Sequence, residues 1–256
     1  MSRADDLERI GEALRCAADV LARFTPGEIA YRVKSKGDPV TEADEAVDAA
    51  LRSTLPLPGE GWLSEETADD PSRLDCARTW IVDPLDGTKE FVRGIPEWCV
   101  SVGLVEGDQP VAGGILVPSR GLTILGSLDT GVTVNGEPAR VRELDGLDGI
   151  TVLASRSEVK RGRWERFSSA PFAVEPLGSV AYKMGLVAAG LADATWTLVP
   201  KNEWDVAGGT ALVRAAGGAV WRPDGEPLKF NQPKTLLPGL LATPAGLEQP
   251  VRDYLA

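Results

Sequence analysis

The stretch Trp80-Ile81-Val82-Asp83-Pro84-Leu85-Asp86-Gly87-Thr88 decides how this chain folds. An apolar, β-rich run leads directly into two aspartates three residues apart. Pro84 fixes its own backbone dihedral angle and cannot extend a sheet, so we expect the chain to turn just after Asp83. In such a turn both carboxylates and the Leu85 carbonyl oxygen can face one space, which suits a small, hard cation. The pattern therefore predicts a cation site at the end of a strand.

The two residues after Asp86 add groups that suit a phosphate. Gly87 lets the backbone approach a ligand closely, and Thr88 supplies a hydroxyl and an N–H group. If a helical turn begins here, its N–H groups form a seat for a phosphate. The alternative is an ordinary Asp-Gly turn whose carboxylates are solvated.

Two further acidic positions lie beside apolar segments. Ser64-Glu65-Glu66 follows Trp62-Leu63 at the end of a predicted strand, although such glutamates are ordinarily surface residues. Asp205 precedes a helix rich in small residues, where its ordinary role would be that of an N-cap. Neither position alone decides between a functional site and a structural role.

The composition limits the chemistry that the chain can perform. Its 256 residues include no histidine, which excludes a Ser-His-Asp triad, a Cys-His pair and imidazole ligands. Cys16, Cys76 and Cys99 are far apart and form no CxxC pair, so neither a thiolate zinc site nor a disulfide framework is expected. The remaining donors are oxygens, which select Mg²⁺, Ca²⁺ or Mn²⁺.

Charge and hydropathy indicate the surroundings and the partners. The formal net charge of −11 opposes nucleic-acid binding. No apolar run is long enough to cross a bilayer, and residues 1–6 lack the apolar core of a signal peptide. We therefore expect a cytoplasmic protein that binds a small phosphorylated metabolite and binds neither nucleic acid nor a membrane. A homodimer is compatible with this expectation.

Hydrophobic periodicity predicts an α/β chain. Helices are predicted at 5–24, from about Thr41 to Pro56, and at 158–167, 180–191, 206–216 and the C-terminus. Predicted strands are 80–82, 99–105, 111–117, 122–125, 151–154, 194–198 and 219–221. We expect a meandering sheet in the first half and alternating elements in the second, with a boundary near residues 127–145.

Taken together, four motifs resemble the inositol monophosphatase superfamily of lithium-sensitive phosphatases. They are residues 38–44, Ser64-Glu65-Glu66, residues 80–88, and Trp204-Asp205 before Ala207-Gly208-Gly209. The resemblance runs from the second helix through Gly217-Gly218. It implies a five-layered αβαβα sandwich in which residues 1–135 carry most metal ligands and residues 136–256 complete the substrate pocket.

The resemblance also implies a role for each matching residue. The metal ligands would be Glu65, Asp83, Asp86, Asp205 and the Leu85 carbonyl, which would bind two or three Mg²⁺ ions, with Mn²⁺ able to substitute. Asp44 and Thr88 would orient the attacking water, so the catalytic set is Asp44, Glu65, Asp83, Asp86 and Thr88. The substrate contacts would be Gly87, Thr88, Lys89, Gly178, Ser179 and Asp205, and either Lys34 or Lys36 would approach the site.

Two differences from the sequence pattern of the inositol phosphatases bear on the identity of the substrate. Residues 86–91 resemble the 3′(2′),5′-bisphosphate nucleotidase branch, since inositol phosphatases more often carry Thr-Asn in place of Lys89-Glu90. Seven residues before Asp205, where the inositol enzymes carry an acid that binds sugar hydroxyls, this chain has Leu198. A solvated Lys89 and a Ser179 that merely caps a helix remain alternatives.

The residues and the resemblance together predict a Mg²⁺-dependent phosphomonoesterase that uses a metal-activated water. Paired divalent ions about 3.5–4 Å apart can acidify a water and stabilise the leaving alkoxide, without a covalent phospho-enzyme. Adenosine 3′,5′-bisphosphate is the expected substrate, followed by inositol monophosphate and then a sugar bisphosphate. A catalytically dead metal- or phosphate-binding regulator would be expected to lack a ligand, and none of the ligand positions is lost here.

Overall fold

The computed structural model describes residues 2–33 and 39–255. Within those ranges the α-helices are α1 (Arg3–Leu21), α2 (Glu42–Thr54), α3 (Thr88–Val92), α4 (Arg156–Lys160), α5 (Val180–Ala188), α6 (Glu203–Ala215) and α7 (Glu248–Leu255). Short 3₁₀ turns lie at Pro71–Asp75, Pro118–Arg120, Glu165–Phe167 and Ala245–Leu247. None of the described helices combines the length and the apolar character that a bilayer crossing would need.

The strands form two large sheets and two small two-stranded sheets, β1-β2 and β13-β15. In chain order they are β1 (Tyr31–Val33), β2 (Pro39–Thr41), β3 (Gly61–Ser64), β4 (Arg78–Asp86), β5 (Cys99–Glu106), β6 (Gln109–Val117), β7 (Leu122–Ser127), β8 (Gly131–Val134), β9 (Glu137–Ala139), β10 (Thr151–Ser155), β11 (Ala173–Leu177), β12 (Ala194–Thr197), β13 (Lys201–Asn202), β14 (Gly218–Trp221), β15 (Leu236–Leu237) and β16 (Leu240–Pro244).

The seven-stranded sheet follows chain order from β3 to β9, so the predicted meander is confirmed. Only the pair β3–β4 is parallel, and the other neighbours are antiparallel. The five-stranded sheet has the order β11-β10-β12-β16-β14. Because β3 and β4 are parallel, their carboxyl ends meet at one edge, which brings the segments after Ser64 and Val82 together.

Alternating burial along β4 explains the layers. Trp80 and Val82 pack into one cluster with α1 and α2, whereas Ile81 points into a second cluster with α5 and α6. A third cluster joins the outer face of the five-stranded sheet to α7 and the turn Glu165–Phe167. The result is the five-layered αβαβα sandwich that the family resemblance implies.

Some predicted elements differ from the structure. The helix predicted at 158–167 is wrong: α4 ends at Lys160, because Gly162 has a φ of +71° and breaks the helix. The helix predicted at 206–216 begins earlier, at Glu203, so Asn202 is the N-cap and Asp205 is the third helical residue. Strands β1, β11 and β16 were not predicted, since each is short and β11 and β16 both contain a proline.

The seven-stranded sheet extends to Ala139, while α5 and α6 pack between the two large sheets. The middle layer is therefore shared by both halves of the chain. The division at residue 135 stays a prediction.

Candidate active site

The prediction that the chain turns just after Asp83 is wrong: β4 continues through Pro84 to Asp86, because a bulge accommodates the proline, and the chain turns at Gly87. The antiparallel register with β5 shifts between Asp83, which pairs with Ser101, and Asp86, which pairs with Cys99. Gly87 follows with a φ of +101°, and a Cβ there would lie 2.8 Å from the Glu97 carbonyl oxygen. Only glycine fits this position, from which the chain enters α3.

Three carboxylates from three parts of the chain meet beside this turn. Oxygens of Glu65, Asp83 and Asp205 all lie within 4.8 Å of one another. Glu65 follows β3, Asp83 lies in β4, and Asp205 comes from the first turn of α6. Oxygen donors at this spacing are the ligands that Mg²⁺ prefers in proteins.

The electrostatics of the cluster suit a divalent cation. Burial raises the pKa of Asp83 well above its usual value, and Glu65, Asp86 and Asp205 raise it further. Burial likewise raises the pKa of Asp205 to about 8, and Asp86 and Glu65 add to this effect while Lys201 opposes it. Because a bound cation favours the ionised forms, the residues present fit a magnesium site.

Asp86 lies in the same cleft and links it to the second half of the chain. Its Oδ2 accepts hydrogen bonds from the Ser179 hydroxyl at 2.7 Å and from the Ala181 N–H at 2.6 Å. Both donors belong to the N-terminal end of α5, where a carboxylate is favoured. The carbonyl oxygen of Leu85, another predicted ligand, lies 2.9 Å from the Thr88 hydroxyl oxygen.

Thr88 and Asp44 form the pair that the resemblance implies. The Thr88 hydroxyl lies 2.8 Å from Asp44 Oδ1. Asp44 Oδ2 accepts from the N–H and the hydroxyl of Thr41 at 2.8 and 2.6 Å, so α2 holds this carboxylate in a capping box. Burial raises the pKa of Asp44, and its hydrogen bonds to Thr41 and Thr88 oppose that rise.

The predicted substrate residues line one cleft with a volume of about 270 Å³. Gly87, Thr88, Lys89, Gly178, Ser179 and Asp205 all border it, together with Glu65, Asp83, Leu85 and Asp86. Ser179 also accepts the Tyr182 N–H at 3.0 Å, so it caps α5 while it lines the cleft. Lys34 and Lys36 lie outside the described residues.

Leu198 does not face this cleft, although the resemblance places it where the inositol enzymes carry an acid that binds sugar hydroxyls. Its side chain packs against the cluster around Trp196, and its N–H donates to Glu158 Oε2 at 3.0 Å. Leu198 is not among the residues that border the cleft. Its apolar character therefore gives no reason for excluding a polyol.

Several cleft residues were missed by sequence reasoning. Arg156, Lys183 and Lys201 border the cleft and bring positive charge to an acidic site. Lys183 is buried in α5 and donates to the Ser179 carbonyl at 2.7 Å, with the Leu177 carbonyl at 3.2 Å. Burial lowers the pKa of Lys183 to about 8. A lysine on an otherwise apolar helix, one turn after Ser179, was the available signal.

Asp48 was also missed by sequence reasoning, and it supports the loop that carries Glu65. Its carboxylate accepts hydrogen bonds from the hydroxyls of Ser64 and Thr67, the latter at 2.6 Å. Ser64 and Thr67 lie on either side of Glu65, so α2 fixes the loop that carries Glu65 and also holds Asp44 in place. Asp48 lies one turn after Asp44, which places both carboxylates on the same face of α2.

The comparisons with known proteins agree with this geometry. The model of the "Inositol monophosphatase family" matches residues 6–251. Inositol monophosphatase 3 of Solanum lycopersicum is 36% identical over 208 residues, which cover 75% of this chain and 77% of that protein. The 3′(2′),5′-bisphosphate nucleotidase CysQ of Haemophilus influenzae is 32% identical over 229 residues, with 85% and 84% covered. The solved structure of the Thermotoga maritima inositol monophosphatase superposes with a TM-score of 0.84 at 26% identity, covering 98% of this chain and 96% of that one.

Proposed function

The chain belongs to the inositol monophosphatase family of phosphoric monoester hydrolases, and from this premise we propose that it hydrolyses adenosine 3′,5′-bisphosphate with Mg²⁺. Family members act on small phosphorylated substrates and depend on Mg²⁺. The proposal adds the substrate, the residue roles and the use of two or three ions, for which Mn²⁺ can substitute.

One observation carries the proposal: Glu65, Asp83 and Asp205 meet in a cleft that Asp86 and Thr88 also line. A turn with solvated acids would leave these carboxylates apart and exposed, whereas Asp83 is 2% exposed. Burying several like charges together is unfavourable unless a cation or another partner compensates them. A cation-dependent reaction in the cleft supplies that compensation.

The chain's own residues divide the work of holding the cation and the substrate. Glu65, Asp83, Asp86 and Asp205, with the Leu85 carbonyl, would hold Mg²⁺. When bound, Mg²⁺ lowers the pKa of water and neutralises charge on a phosphate and its leaving oxygen. Ser179 fixes Asp86 through the 2.7 Å hydrogen bond, so α5 contributes to the site indirectly.

Thr88 and Asp44 handle the proton of the attacking water. The Thr88 hydroxyl donates to Asp44 Oδ1, which leaves a lone pair on Thr88 Oγ to accept a hydrogen bond from that water. As the water attacks phosphorus, its proton can pass to Thr88 Oγ while the hydroxyl proton moves to Asp44. The raised pKa of Asp44 favours this transfer.

The phosphate and the remainder of the substrate contact the other cleft residues. The N–H groups of Gly87 and Thr88 are proposed to bind the scissile phosphate. Lys89, Gly178, Ser179 and Asp205 are proposed to contact the substrate beyond it. Arg156, Lys183 and Lys201 bring positive charge to the cleft, which favours a substrate with more than one negative charge.

Inositol monophosphate is the second candidate, and a sugar bisphosphate is the third. The family relatives include both inositol monophosphatases and bisphosphate nucleotidases. The basic side chains at the cleft favour the nucleotide over the uncharged inositol ring. A catalytically dead regulator is disfavoured, because each predicted ligand is present and borders the cleft.

Release of inorganic phosphate tests the proposal. Purified protein would be assayed with Mg²⁺ on adenosine 3′,5′-bisphosphate, inositol 1-phosphate and fructose 1,6-bisphosphate, with and without excess EDTA. We expect the highest kcat/KM on the nucleotide and no turnover in EDTA. Turnover that persists in EDTA after metal-free preparation would overturn the mechanism, and a higher kcat/KM on inositol 1-phosphate would overturn the substrate.

A further inference from the structure

A second cavity of about 380 Å³ opens beside the catalytic cleft, between α3 and α4. We call it the α3–α4 pocket; its lining residues are Lys89, Glu90, Arg93, Arg156, Ser157, Lys160 and Arg161. Four of these also border the cleft: Lys89, Glu90, Arg156 and Ser157. The two spaces therefore lie side by side, with these four residues between or beside them.

The pocket is basic because of how two short helices are placed. Lys89 and Arg93 are four residues apart on α3 and its C-cap, and Arg156 and Lys160 are four residues apart on α4. Residues at this spacing lie on one face of a helix. Each helix therefore presents a pair of cations to the same pocket, and Arg161 adds a fifth.

The five cations of the pocket differ in whether an acidic residue compensates their charge. Arg93, Lys160 and Arg161 are exposed, and none of them forms an ion pair with any residue in 2–33 or 39–255. Arg156 differs, because Glu97 accepts hydrogen bonds from its guanidinium. Among the described residues that line the pocket, Glu90 is the one acid; it is 8% exposed, and burial raises its pKa.

This concentration of cations contrasts with the formal net charge of the whole chain, which is −11. Self-repulsion among Arg93, Lys160 and Arg161 is unfavourable in the empty pocket, and an anion relieves it. Arginine is well suited to bind phosphate oxygens with two parallel hydrogen bonds. A phosphate is therefore the chemical group that fits the pocket.

We propose that the α3–α4 pocket binds a second phosphate of the substrate while the scissile phosphate lies in the catalytic cleft. This inference rests on the proposed phosphatase activity and assigns the selection of bisphosphates to Arg93, Lys160 and Arg161. Adenosine 3′,5′-bisphosphate and fructose 1,6-bisphosphate share the required chemistry.

The test compares bisphosphates with matched monophosphates. Wild type, Arg93→Gln and Arg161→Gln would be assayed on adenosine 3′,5′-bisphosphate against adenosine 3′-monophosphate, and on fructose 1,6-bisphosphate against fructose 1-phosphate. Each substitution is expected to lower kcat/KM for a bisphosphate by about tenfold, the effect of one charged hydrogen bond. The value for the monophosphate should change by less than about twofold. The pair that shows the selective loss identifies nucleotide or sugar as the source.

Arg163→Gln is the matched control, since Arg163 is exposed on the same segment but does not line the pocket. Its kinetics should equal those of wild type. An equal loss on both members of each pair would show that the pocket only attracts anions at long range, and would overturn the proposal. Unchanged kinetics in both pocket variants would also overturn it.

Calorimetric binding of the same pairs keeps this inference separate from the proposed activity. The wild type could release no phosphate from any ester and still bind the bisphosphate at least about tenfold more tightly than the matched monophosphate. If Arg161→Gln abolishes that preference, the proposed activity is overturned and the proposed phosphate binding in the α3–α4 pocket is retained. Equal affinities for the bisphosphate and the monophosphate of each pair would overturn the proposal that the pocket binds a second phosphate.

Discussion

The Asp83 side chain is crowded by charges of its own sign. It is buried close to Glu65, Asp86 and Asp205, so its ionised form is disfavoured first by burial and then by repulsion. Its Oδ1 accepts a hydrogen bond from the Leu85 N–H at 3.0 Å, which an asparagine oxygen at the same position can also accept. Asp83 therefore offers a substitution that removes charge and keeps the turn.

Asp83→Asn is expected to lower kcat by several orders of magnitude, because one carboxylate is lost from the cation site. In EDTA at pH 7.5 its Tm should equal or exceed that of wild type, since one buried charge is removed. Phosphate release and thermal unfolding measure the two effects. Asp75→Asn, which changes an exposed carboxylate outside the cleft, should alter neither quantity. A near-wild-type rate in Asp83→Asn would leave this aspartate with only a role in the turn.

Thr88 offers a second test at the scale of one residue. Gly87, not Thr88, occupies the N-cap position of α3, so the Thr88 hydroxyl is available for Asp44 and Leu85. Thr88→Ala should lower kcat by about 10²-fold if the hydroxyl orients the water. Thr88→Ser, which keeps the hydroxyl, should recover most of the activity. Similar kcat values in the two variants would assign the effect to packing of the methyl group instead.

At the scale of the elements, α6 carries Asp205 into the cleft because it packs very closely on the seven-stranded sheet. A Cβ on Gly208 would lie 2.6 Å from the Val102 carbonyl oxygen, and one on Gly113 would lie 2.5 Å from the Gly208 carbonyl oxygen. Glycines on both the helix and the sheet thus permit this approach. Asp205 lies three residues before Gly208, on the same helix.

Gly208→Ala should therefore push α6 away from β5 and carry Asp205 with it. We expect a loss of about 1–3 kcal/mol in the free energy of unfolding, as is typical of overpacking. Calorimetry should also show weaker Mg²⁺ binding. Gly146→Ala is the matched control, because a Cβ there meets no atom of the described part of the chain within 4 Å. Normal Mg²⁺ affinity in a destabilised Gly208→Ala protein would show that the helix position does not tune the site.

Helix α5 depends on Ser179, which has a left-handed φ of +50°. Ser179→Ala removes the cap and the hydrogen bond to Asp86, so it should cost about 1 kcal/mol of stability. Loss of this support should weaken Mg²⁺ binding by about 10–100-fold. Ser179→Gly relieves the backbone strain but also lacks the hydroxyl. It should be more stable than Ser179→Ala and bind Mg²⁺ equally weakly; if affinity instead follows stability, the hydroxyl has no positioning role.

Elements with strong periodicity were predictable from the sequence. Helices α1 and α2 and strands β4 to β7 follow their apolar patterns, because each buries one face or alternates between two cores. Strand β11 was not predictable, since most of its residues are exposed and it is held by parallel pairing with β10. Its formation depends on a partner that is distant in sequence, which local propensity does not reveal.

At the scale of the whole molecule, the cleft lies where distant parts of the chain meet. The aspartates at the end of β4 are close in sequence, so their proximity was predictable. Lys201 and Arg156 were not, because nothing near them in the sequence indicates that α4 and β13 border the end of β4. The positive side of the site is therefore a product of tertiary structure, whereas two of the four acidic ligands, Asp83 and Asp86, come from one short segment.

The metal-free molecule should lose stability as the pH rises from about 5 to about 7.5. Burial raises the pKa of Glu203 to about 7 and that of Asp205 to about 8, and it raises that of Asp83 well above its usual value. In the unfolded chain these groups titrate near pH ~4. The folded state thus binds more protons in this range, and the free energy of unfolding falls by about 1.4 kcal/mol per pH unit for each such proton.

Urea unfolding in EDTA, measured at intervals from pH 5 to 7.5, should show this negative slope. Saturating Mg²⁺ should reduce it, because bound cation keeps Asp83 and Asp205 ionised and leaves Glu203 as the main contributor. Asp205→Asn in EDTA should reduce the slope in the same way. The series ends below pH 8 because of Lys183, whose pKa burial lowers to about 8. Between that pH and the pKa of an unfolded lysine, the unfolded chain binds more protons than the folded one, so the free energy of unfolding rises with pH. A positive slope in EDTA below pH 7.5 would mean that the folded chain itself compensates these carboxylates, and the argument for a cation in the cleft would lose its electrostatic basis.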